Sequence, residues 1–248
     1  MQTFEDVSIP YDDLERFGLG KEMLEDLPQR AIDDILSGRP SPVFMFRHSD
    51  DGGVNVEWRC RFQLSRHSDG STGIIYFPFH DTDPLSVFDD VRQKKLRDGR
   101  IVVGDVVNKS GQSVKSYIQY DEPGNQVLTL PTFVISANIG TLSQDLNLTP
   151  AERSKIENGD PLTTVIGQSP VTVGIDLAEP TGIRYGNGDC REWLRARKDD
   201  EWERYNFGLN GCWVMNPDGL MNYVEEDKYT DDIVQAELAL SHRQGLHM

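Results

Sequence analysis

Apolar residues in this chain follow a helical period and then an extended period, and this change of period occurs three times. Each helical stretch ends near a glycine, and the three glycines, Gly38, Gly99 and Gly159, are 61 and 60 residues apart. Glycine tolerates the left-handed backbone conformation that often ends a helix, so we expect each of these glycines to follow one. The spacing predicts a repeated unit that begins with a helix.

Two apolar positions precede every one of these glycines at constant offsets. The residues three positions earlier are Ile35, Leu96 and Ile156, and those eleven positions earlier are Leu27, Phe88 and Leu148. The two offsets differ by eight, which corresponds to one face of a helix. We therefore expect both sets to lie within the helices and to share a face.

Capping residues and prolines mark where these helices begin. Residues 149–152 read Thr-Pro-Ala-Glu, which fits a capping box with proline at the first helical position. Asp83 is also followed by proline, so we expect it to cap the middle helix. In the first unit, a short helix is predicted over residues 28–36.

Short extended segments with turn-like residues between them follow each glycine. The first unit contains two predicted hairpins, one from 43–46 and 54–58 and one from 61–64 and 74–77. The predicted strands of the other two units are 101–103, 114–120, 127–130, 162–166, 171–177 and 182–185. Their alternation of apolar and polar residues is typical of antiparallel sheets with one solvated face.

The section from residue 189 onward has a different pattern. Residues 190–205 form a charged amphipathic pattern that predicts a helix, and residues 207–215 and 220–224 predict two strands around a turn. A final helix is predicted over residues 230–240, followed by a frayed tail.

These patterns predict an α+β fold of degenerate repeats, each a helix followed by a small antiparallel sheet, with a C-terminal α+β cap. The expected divisions are 1–82 for a first helix-plus-hairpins unit, 83–131 for a second, 132–188 for a third and 189–241 for the cap. The four units are expected to pack as one or two domains.

The charge is strongly negative and unevenly distributed. The 248 residues carry a net charge of -16, and residues 1–50 hold 11 acidic against 5 basic side chains, whereas residues 51–100 hold 8 of each. Such a field repels a nucleic-acid backbone at long range and favours a basic partner. Mimicry of DNA and simple solubility remain open as alternative interpretations.

Nothing in the sequence indicates a membrane, metal or cofactor. No run reaches the roughly 18 apolar residues that span a bilayer, and the first ten residues lack a secretory signal, so we expect a cytoplasmic protein. The three cysteines lack the paired spacings of zinc sites. Cys212 is interpreted as a small buried strand residue, and no nucleophile motif is present. We therefore predict no cofactor and favour a non-catalytic role.

Two groups of residues are the candidate binding positions. Lys94, Lys95 and Arg97 belong to a basic run that also includes Arg92 and Arg100 and that could join Arg59, Arg61 and Arg66 in a positive patch. Tyr205 and Trp213, with Trp202 and Phe207, could form an aromatic binding platform. The alternatives are a solvated helix face for the basic run and a C-terminal core for the aromatic residues.

Four segments together resemble a known family. They are residues 19–28 (LGKEMLEDLP), 158–163 (NGDPLT), 170–177 (PVTVGIDL) and 211–215 (GCWVM). The chain resembles an uncharacterised domain family of Bacteroidales bacteria that is found largely on conjugative and other mobile elements, over residues 9–230. The resemblance implies a cytoplasmic protein associated with mobile DNA and carries over no functional residue.

The leading hypothesis is an accessory or adaptor protein of a mobile genetic element. It would bind another protein through sheet edges or through acidic residues such as Glu22, Glu25 and Asp26. A nucleic-acid-binding or DNA-processing accessory protein that uses residues 92–100 is the alternative, and an acidic DNA mimic is a further one. No membrane partner is expected, and an enzyme remains open.

Overall fold

The computed structural model describes residues 4, 9–49, 55–108, 110–198 and 203–245. Within these residues the chain forms eight α-helices and twelve β-strands. The helices are α1 (Tyr11–Glu15), α2 (Lys21–Glu25), α3 (Gln29–Leu36), α4 (Asp90–Arg97), α5 (Ser136–Asp145), α6 (Pro150–Glu157), α7 (Cys190–Lys198) and α8 (Asp231–Gly245).

The strands are organised into three sheets. The strands are β1 (Val43–Ser49), β2 (Asn55–Arg66), β3 (Thr72–Pro78), β4 (Val102–Val107), β5 (Ser113–Asp121), β6 (Gln126–Pro131), β7 (Leu162–Ile166), β8 (Ser169–Ile175), β9 (Ile183–Asn187), β10 (Tyr205–Phe207), β11 (Gly211–Met215) and β12 (Leu220–Glu225). The α+β class predicted from the sequence is confirmed.

The chain divides into two compact units. One contains residues 3–79 and 202–248 and is called the terminal unit, and the other contains residues 80–201 and is called the central unit. The division of the sequence into four segments (1–82, 83–131, 132–188 and 189–241) stays a prediction.

The terminal unit is built on a six-stranded sheet in the order β10-β11-β12-β1-β2-β3. Neighbouring strands are antiparallel except β1 and β12, which run parallel with Val43 opposite Leu220. Apolar residues of α1, α2 and α3, among them Leu14, Leu24 and Ile35, pack on one face of this sheet. The sheet therefore joins a segment near the start of the sequence to one near its end.

The two hairpins predicted for the first unit share one long strand. β2 runs without interruption over twelve residues, and it pairs with β1 at one end and with β3 at the other. The separate strands predicted at 54–58 and 61–64 are therefore wrong in number. Only the second half of β2 faces the core, so the pattern of burial changes within the strand. In the sequence this change looks like the end of one strand and the start of another.

The central unit contains two three-stranded antiparallel meanders, β4-β5-β6 and β7-β8-β9. A core cluster that includes Tyr117, Ile139, Leu142, Ile156 and Val173 joins both meanders through α5 and α6. A smaller cluster of Leu85, Leu96, Val102 and Ile118 anchors α4 to the first meander. The basic residues of α4 are consequently turned away from this core.

The three marker glycines all have the left-handed backbone that the pattern predicted. Gly38, Gly99 and Gly159 have φ angles of 74°, 77° and 87°. Each follows an eight-residue helix and precedes three strands. The first three strands belong to the larger six-stranded sheet, whereas the others form separate sheets, so the internal repeat stays a prediction.

Two predictions about the helix starts are wrong. Leu27, Phe88 and Leu148 were expected within the helices, but each lies one residue before the N-cap residue. The helices are too short to contain both apolar positions, which are eight residues apart. Asp83 does not cap α4. Its carboxylate accepts a hydrogen bond from the Leu85 backbone in the preceding turn, and Asp89 is the N-cap.

The remaining helix starts and the C-terminal elements agree with the sequence only in part. The capping box of Thr149 and Glu152 is confirmed. The helix predicted over 190–205 is wrong at its end, because Tyr205 begins strand β10, while residues 199–202 lie outside the described residues. Helix α8 continues to Gly245, where a tail was expected, and α5 was not predicted.

Candidate functional site

Helix α4 carries three of the five residues selected from the sequence, Lys94, Lys95 and Arg97. It begins where the Asp89 carboxylate accepts a hydrogen bond from the Arg92 backbone at 2.9 Å, and it ends at Arg97, two residues before Gly99. Since Leu96 is buried, the helix is fixed by its apolar side and its cations are exposed. Arg92, Lys94, Lys95, Arg97 and Arg100 are together called the α4 surface.

A cleft of about 450 Å³ runs beside α4. Three residues of the α4 surface line it, Arg92, Lys95 and Arg100. The lining also includes the N-cap residue Asp89, and Asn158 and Asp160 from the loop after α6. The first residues of the neighbouring strand β4 form its floor. The structure therefore adds to the basic helix a concave surface that the sequence did not indicate.

The cations of the α4 surface differ in how far they are neutralised. Arg97 forms an ion pair with Asp83 at 2.7 Å, and Arg92 lies 3.4 Å from the Asp89 carboxylate. Within the part of the chain that the structure describes, none of Lys94, Lys95 and Arg100 lies within 4.0 Å of a carboxylate. Lys94 is exposed outside the cleft, whereas Lys95 and Arg100 line it and are the cations most available to an anionic ligand there.

Helix α7 extends the positive charge of the central unit. Arg191 and Arg195 are exposed on it, and its Leu194 side chain lies 3.9 Å from the position that a Cβ on Gly99 would occupy. The helix begins with the Asp189 carboxylate, whose pKa is lowered by hydrogen bonds from the backbone of Glu192 and Arg191. The C-terminal end of α4 thus lies beside a second basic helix.

The aromatic candidates belong to the terminal unit. Trp213 is buried at 1% exposure, and its indole donates a hydrogen bond to the Met23 carbonyl at 2.8 Å. Tyr205 is half-buried on β10, with the Arg204 guanidinium 5.0 Å from its ring centre. Trp202 lies outside the described residues. Trp213 is thus part of the core, and its ring is not presented on the surface.

The three arginines considered as partners of the basic run also belong to the terminal unit. Arg59 pairs with Asp218 at 2.6 Å, and Arg61 donates a hydrogen bond to the Ser41 carbonyl at 2.6 Å. Arg66 lies over the ring of Phe4. Each therefore has a contact within its own unit.

Strand β3 is a feature that was not singled out from the sequence. It is an edge of the six-stranded sheet, and with seven residues it is the longest of the edge strands described. Its sequence, TGIIYFP, contains no charged residue, and Ile75 and Tyr76 are 45% and 36% exposed. The absence of charge between residues 72 and 78 is the signal that could have identified it.

Among the described residues, nothing pairs with the backbone groups on the outer side of β3. Phe79 donates to Arg59 and His67 donates to Ser71, so in this ladder the hydrogen-bonded residues of β3 are the odd-numbered ones. The amides of Thr72, Ile74 and Tyr76 consequently point away from β2. An extended strand with free donors and acceptors can pair with another chain.

Asp26 is a buried carboxylate that the sequence interpretation treated as an acidic surface residue. It is 5% exposed and accepts hydrogen bonds from the backbone of Leu209 and Asn210 at 2.6 and 2.9 Å. The Tyr223 hydroxyl donates a third bond at 2.5 Å. Burial and this carboxylate raise the pKa of Tyr223 far above its usual value, so the phenol keeps its proton. Asp26 therefore stabilises the fold and is not available to a partner.

The cysteines of the terminal unit are buried in strands. Cys212 on β11 and Cys60 on β2 are fully buried, and burial raises the pKa of both thiols to about 11. The interpretation of Cys212 as a small buried strand residue is confirmed. In the described residues, no group of three His, Cys, Asp or Glu side chains is placed to hold a metal ion. None of the helices in those residues is long and apolar enough to cross a membrane.

Comparison with known proteins adds a family for part of the chain. Residues 4–82 match a family described as "Protein of unknown function (DUF4099)", and the matched segment includes β1, β2 and β3. No curated protein and no solved structure matches the chain. A likeness to a family of unknown function is thus shown for residues 4–82, and the association with Bacteroidales and mobile elements stays a prediction.

Proposed function

We propose that the protein is a non-catalytic accessory protein of a mobile genetic element that binds another protein at the edge strand β3. The observation that carries this proposal is the outer side of β3, where the backbone groups of Thr72, Ile74 and Tyr76 have no partner in the part of the chain that the structure describes. Natural proteins protect exposed edges with lysine, proline or short strands. Apart from Pro78 at its end, β3 has none of these protections.

The partner on this proposal contributes an extended segment that adds a seventh strand to the sheet. Main-chain hydrogen bonds give such a complex its affinity, and pockets for alternate side chains give it specificity. Ile75 and Tyr76 supply exposed apolar surface on the two faces of β3. The partner segment would therefore carry apolar residues.

The charge of the terminal unit favours basic residues near that segment. Residues 3–79 and 202–248 hold 22 acidic and 11 basic side chains, whereas residues 80–201 hold 19 and 14. Complementary charge mainly accelerates association and excludes wrong partners. A cytoplasmic protein with an apolar extended segment flanked by Lys or Arg residues fits both features.

A variant of the edge tests the proposal. Ile75→Lys introduces the charge that natural edges use, and we expect it to abolish recovery of protein partners from a host lysate that carries the mobile element. Val234→Lys is the matched control, because Val234 is 40% exposed in the same unit but lies on helix α8 and not on a strand. Nuclease treatment of the lysate separates protein partners from those recovered through nucleic acid.

Hydrogen exchange on the recovered complex tests the binding mode. The amides of Thr72, Ile74 and Tyr76 should exchange rapidly in the free protein, because no described residue pairs with them, and should become protected when a partner strand does. The amides of Gly73, Ile75 and Phe77 should be protected in both states. A complex that leaves the first set unprotected would contradict binding at this edge.

The acidic DNA mimic receives less support than edge binding. Mimicry needs rows of exposed carboxylates, but Asp26, Asp121 and Asp176 are buried. Other carboxylates are paired within the chain, among them Asp218 with Arg59 and Glu57 with Arg47.

A further inference from the structure

The α4 surface is a concentration of positive charge in an acidic protein. Residues 92–100 contain five basic residues and one acidic residue, although the chain as a whole carries a charge of -16. Proposed binding at β3 makes no use of this surface, which belongs to the other compact unit. An excess of one sign of charge around a cleft attracts ligands of the opposite sign.

The cleft has both free and neutralised cations. Lys95 and Arg100 line it without an ion pair in the described residues, whereas Arg92 is partly neutralised by Asp89. Asp89 and Asp160 also line the cleft, and both are exposed and oppose an anion there. The cleft therefore suits an anionic ligand, and these two carboxylates lower the affinity.

The composition of the cleft distinguishes between parts of a nucleic acid. None of the ten residues that line it is aromatic, so it offers no ring on which a base could stack. Arginine and lysine bind phosphate oxygens. Helix α7, whose Leu194 side chain approaches Gly99, carries two further exposed arginines, Arg191 and Arg195. These features match a phosphate backbone and give no means of reading sequence.

We propose that the α4 surface, together with the start of α7, binds the phosphate backbone of nucleic acid without sequence specificity. The contacts come from Lys95 and Arg100 in the cleft and from Arg92 beside them. Arg97 is held by Asp83 and takes a smaller part.

Salt dependence measured by fluorescence anisotropy tests this site. The probes are a labelled 30-nucleotide single strand and the corresponding duplex, each titrated with the full chain. With three phosphates neutralised, affinity should fall by about 20-fold for the single strand and about 40-fold for the duplex between 50 and 200 mM salt. Comparison of the two probes identifies which form is preferred.

Three variants assign the binding to the cleft. Lys95→Gln with Arg100→Gln should reduce the slope of log affinity against log salt by about 2, with at least a tenfold loss of affinity at 50 mM salt. Asp160→Asn should raise affinity, since it removes one of the two opposing carboxylates. Lys115→Gln is the control, because Lys115 is exposed on β5 of the same unit and does not line the cleft.

Several results would contradict phosphate binding at this cleft. Absence of binding to both probes at 50 mM salt, or an affinity that does not change with salt, would overturn the proposal. Equal losses in the double variant and in Lys115→Gln would show that net charge, and not this cleft, governs binding. Equal displacement of the probe by polyglutamate would indicate an acidic protein ligand and contradict phosphate recognition.

Discussion

At the scale of the residue, buried polar side chains hold distant parts of each unit together. Asp26 fixes the turn of residues 208–211, which lies more than 180 positions away in sequence. In the central unit, the Asp176 carboxylate accepts hydrogen bonds from Gln119 and Arg184 at 2.9 and 2.8 Å. The guanidinium of Arg184 also lies 3.8 Å from the ring centre of Trp193. Both carboxylates thus act as fixed acceptors inside the fold.

Replacement of Asp26 should destabilise the terminal unit. Asp26→Ala leaves two backbone amides and the Tyr223 hydroxyl without an acceptor, and we expect a loss of about 3 kcal/mol in the free energy of unfolding. Glu25→Ala should change it by less than about 0.5 kcal/mol, because Glu25 forms only an exposed pair with Lys21. Urea denaturation at neutral pH measures both, and similar midpoints for the two variants would contradict the role of Asp26.

The sequence could not have identified Asp26 as a core residue. It stands within an acidic stretch with Glu22 and Glu25, and the groups that satisfy its carboxylate belong to another part of the chain. Lys94 and Lys95 could be identified from the sequence, because the residues of a basic run on one helix are neighbours along the chain. The unpaired edge of β3 depends on which strand is last in the sheet, and a local pattern does not contain that order.

At the scale of the element, the residues that mark helix ends predicted the helices better than the spacing of apolar residues did. Thr149, Pro150 and Glu152 specify a helix start through local hydrogen bonds, and the marker glycines specify helix ends through their backbone conformation. Helix α5 has no capping residue at its start and a weak apolar pattern, so its sequence gave no comparable signal. The prediction of a helix up to Tyr205 failed because the charged pattern continues to this residue, which belongs to strand β10.

The capping box should contribute measurably to stability. Thr149→Ala removes the hydroxyl that accepts from the Glu152 backbone and should cost about 1 kcal/mol. Thr141→Ala is the control, since Thr141 is exposed within α5 and alanine favours a helix interior. An equal loss in the two variants on urea denaturation would contradict a capping role.

The same box gives a pH dependence with a defined direction. Hydrogen bonds from the Thr149 backbone and hydroxyl lower the pKa of Glu152. Its contribution is therefore complete above the pKa of glutamate in the unfolded chain and is lost as the pH falls through the lowered value. The difference between the wild-type protein and Thr149→Ala should accordingly shrink when urea denaturation is repeated at pH 3.

At the scale of the whole molecule, charge and contacts are both divided between two units. The terminal unit has twice as many acidic as basic side chains, whereas the excess in the central unit is small. The proposed protein-binding edge belongs to the first unit, and the proposed phosphate-binding surface belongs to the second. The two units thus offer different chemistry to different ligands.

The two units should unfold as separate cooperative blocks. Hydrogen exchange measured by mass spectrometry in increasing urea should give one midpoint for peptides around Phe44 and Trp213 and another for peptides around Tyr117 and Leu142. Asp26→Ala should lower only the first midpoint, by about 1 to 2 M urea. A shift of both midpoints together would contradict the division into two blocks.

The parallel pairing of β1 with β12 has a consequence for synthesis on the ribosome. Val43 cannot pair until its partner in the sheet, Leu220, has been synthesised. At translation rates of about 5 to 20 residues per second, the interval between the synthesis of these two residues lasts roughly 10 to 35 s. All of residues 80–201 are made within that interval, so the central unit can fold first. Until then β1 has no neighbour on one side, and the nascent chain is a ready substrate for chaperones.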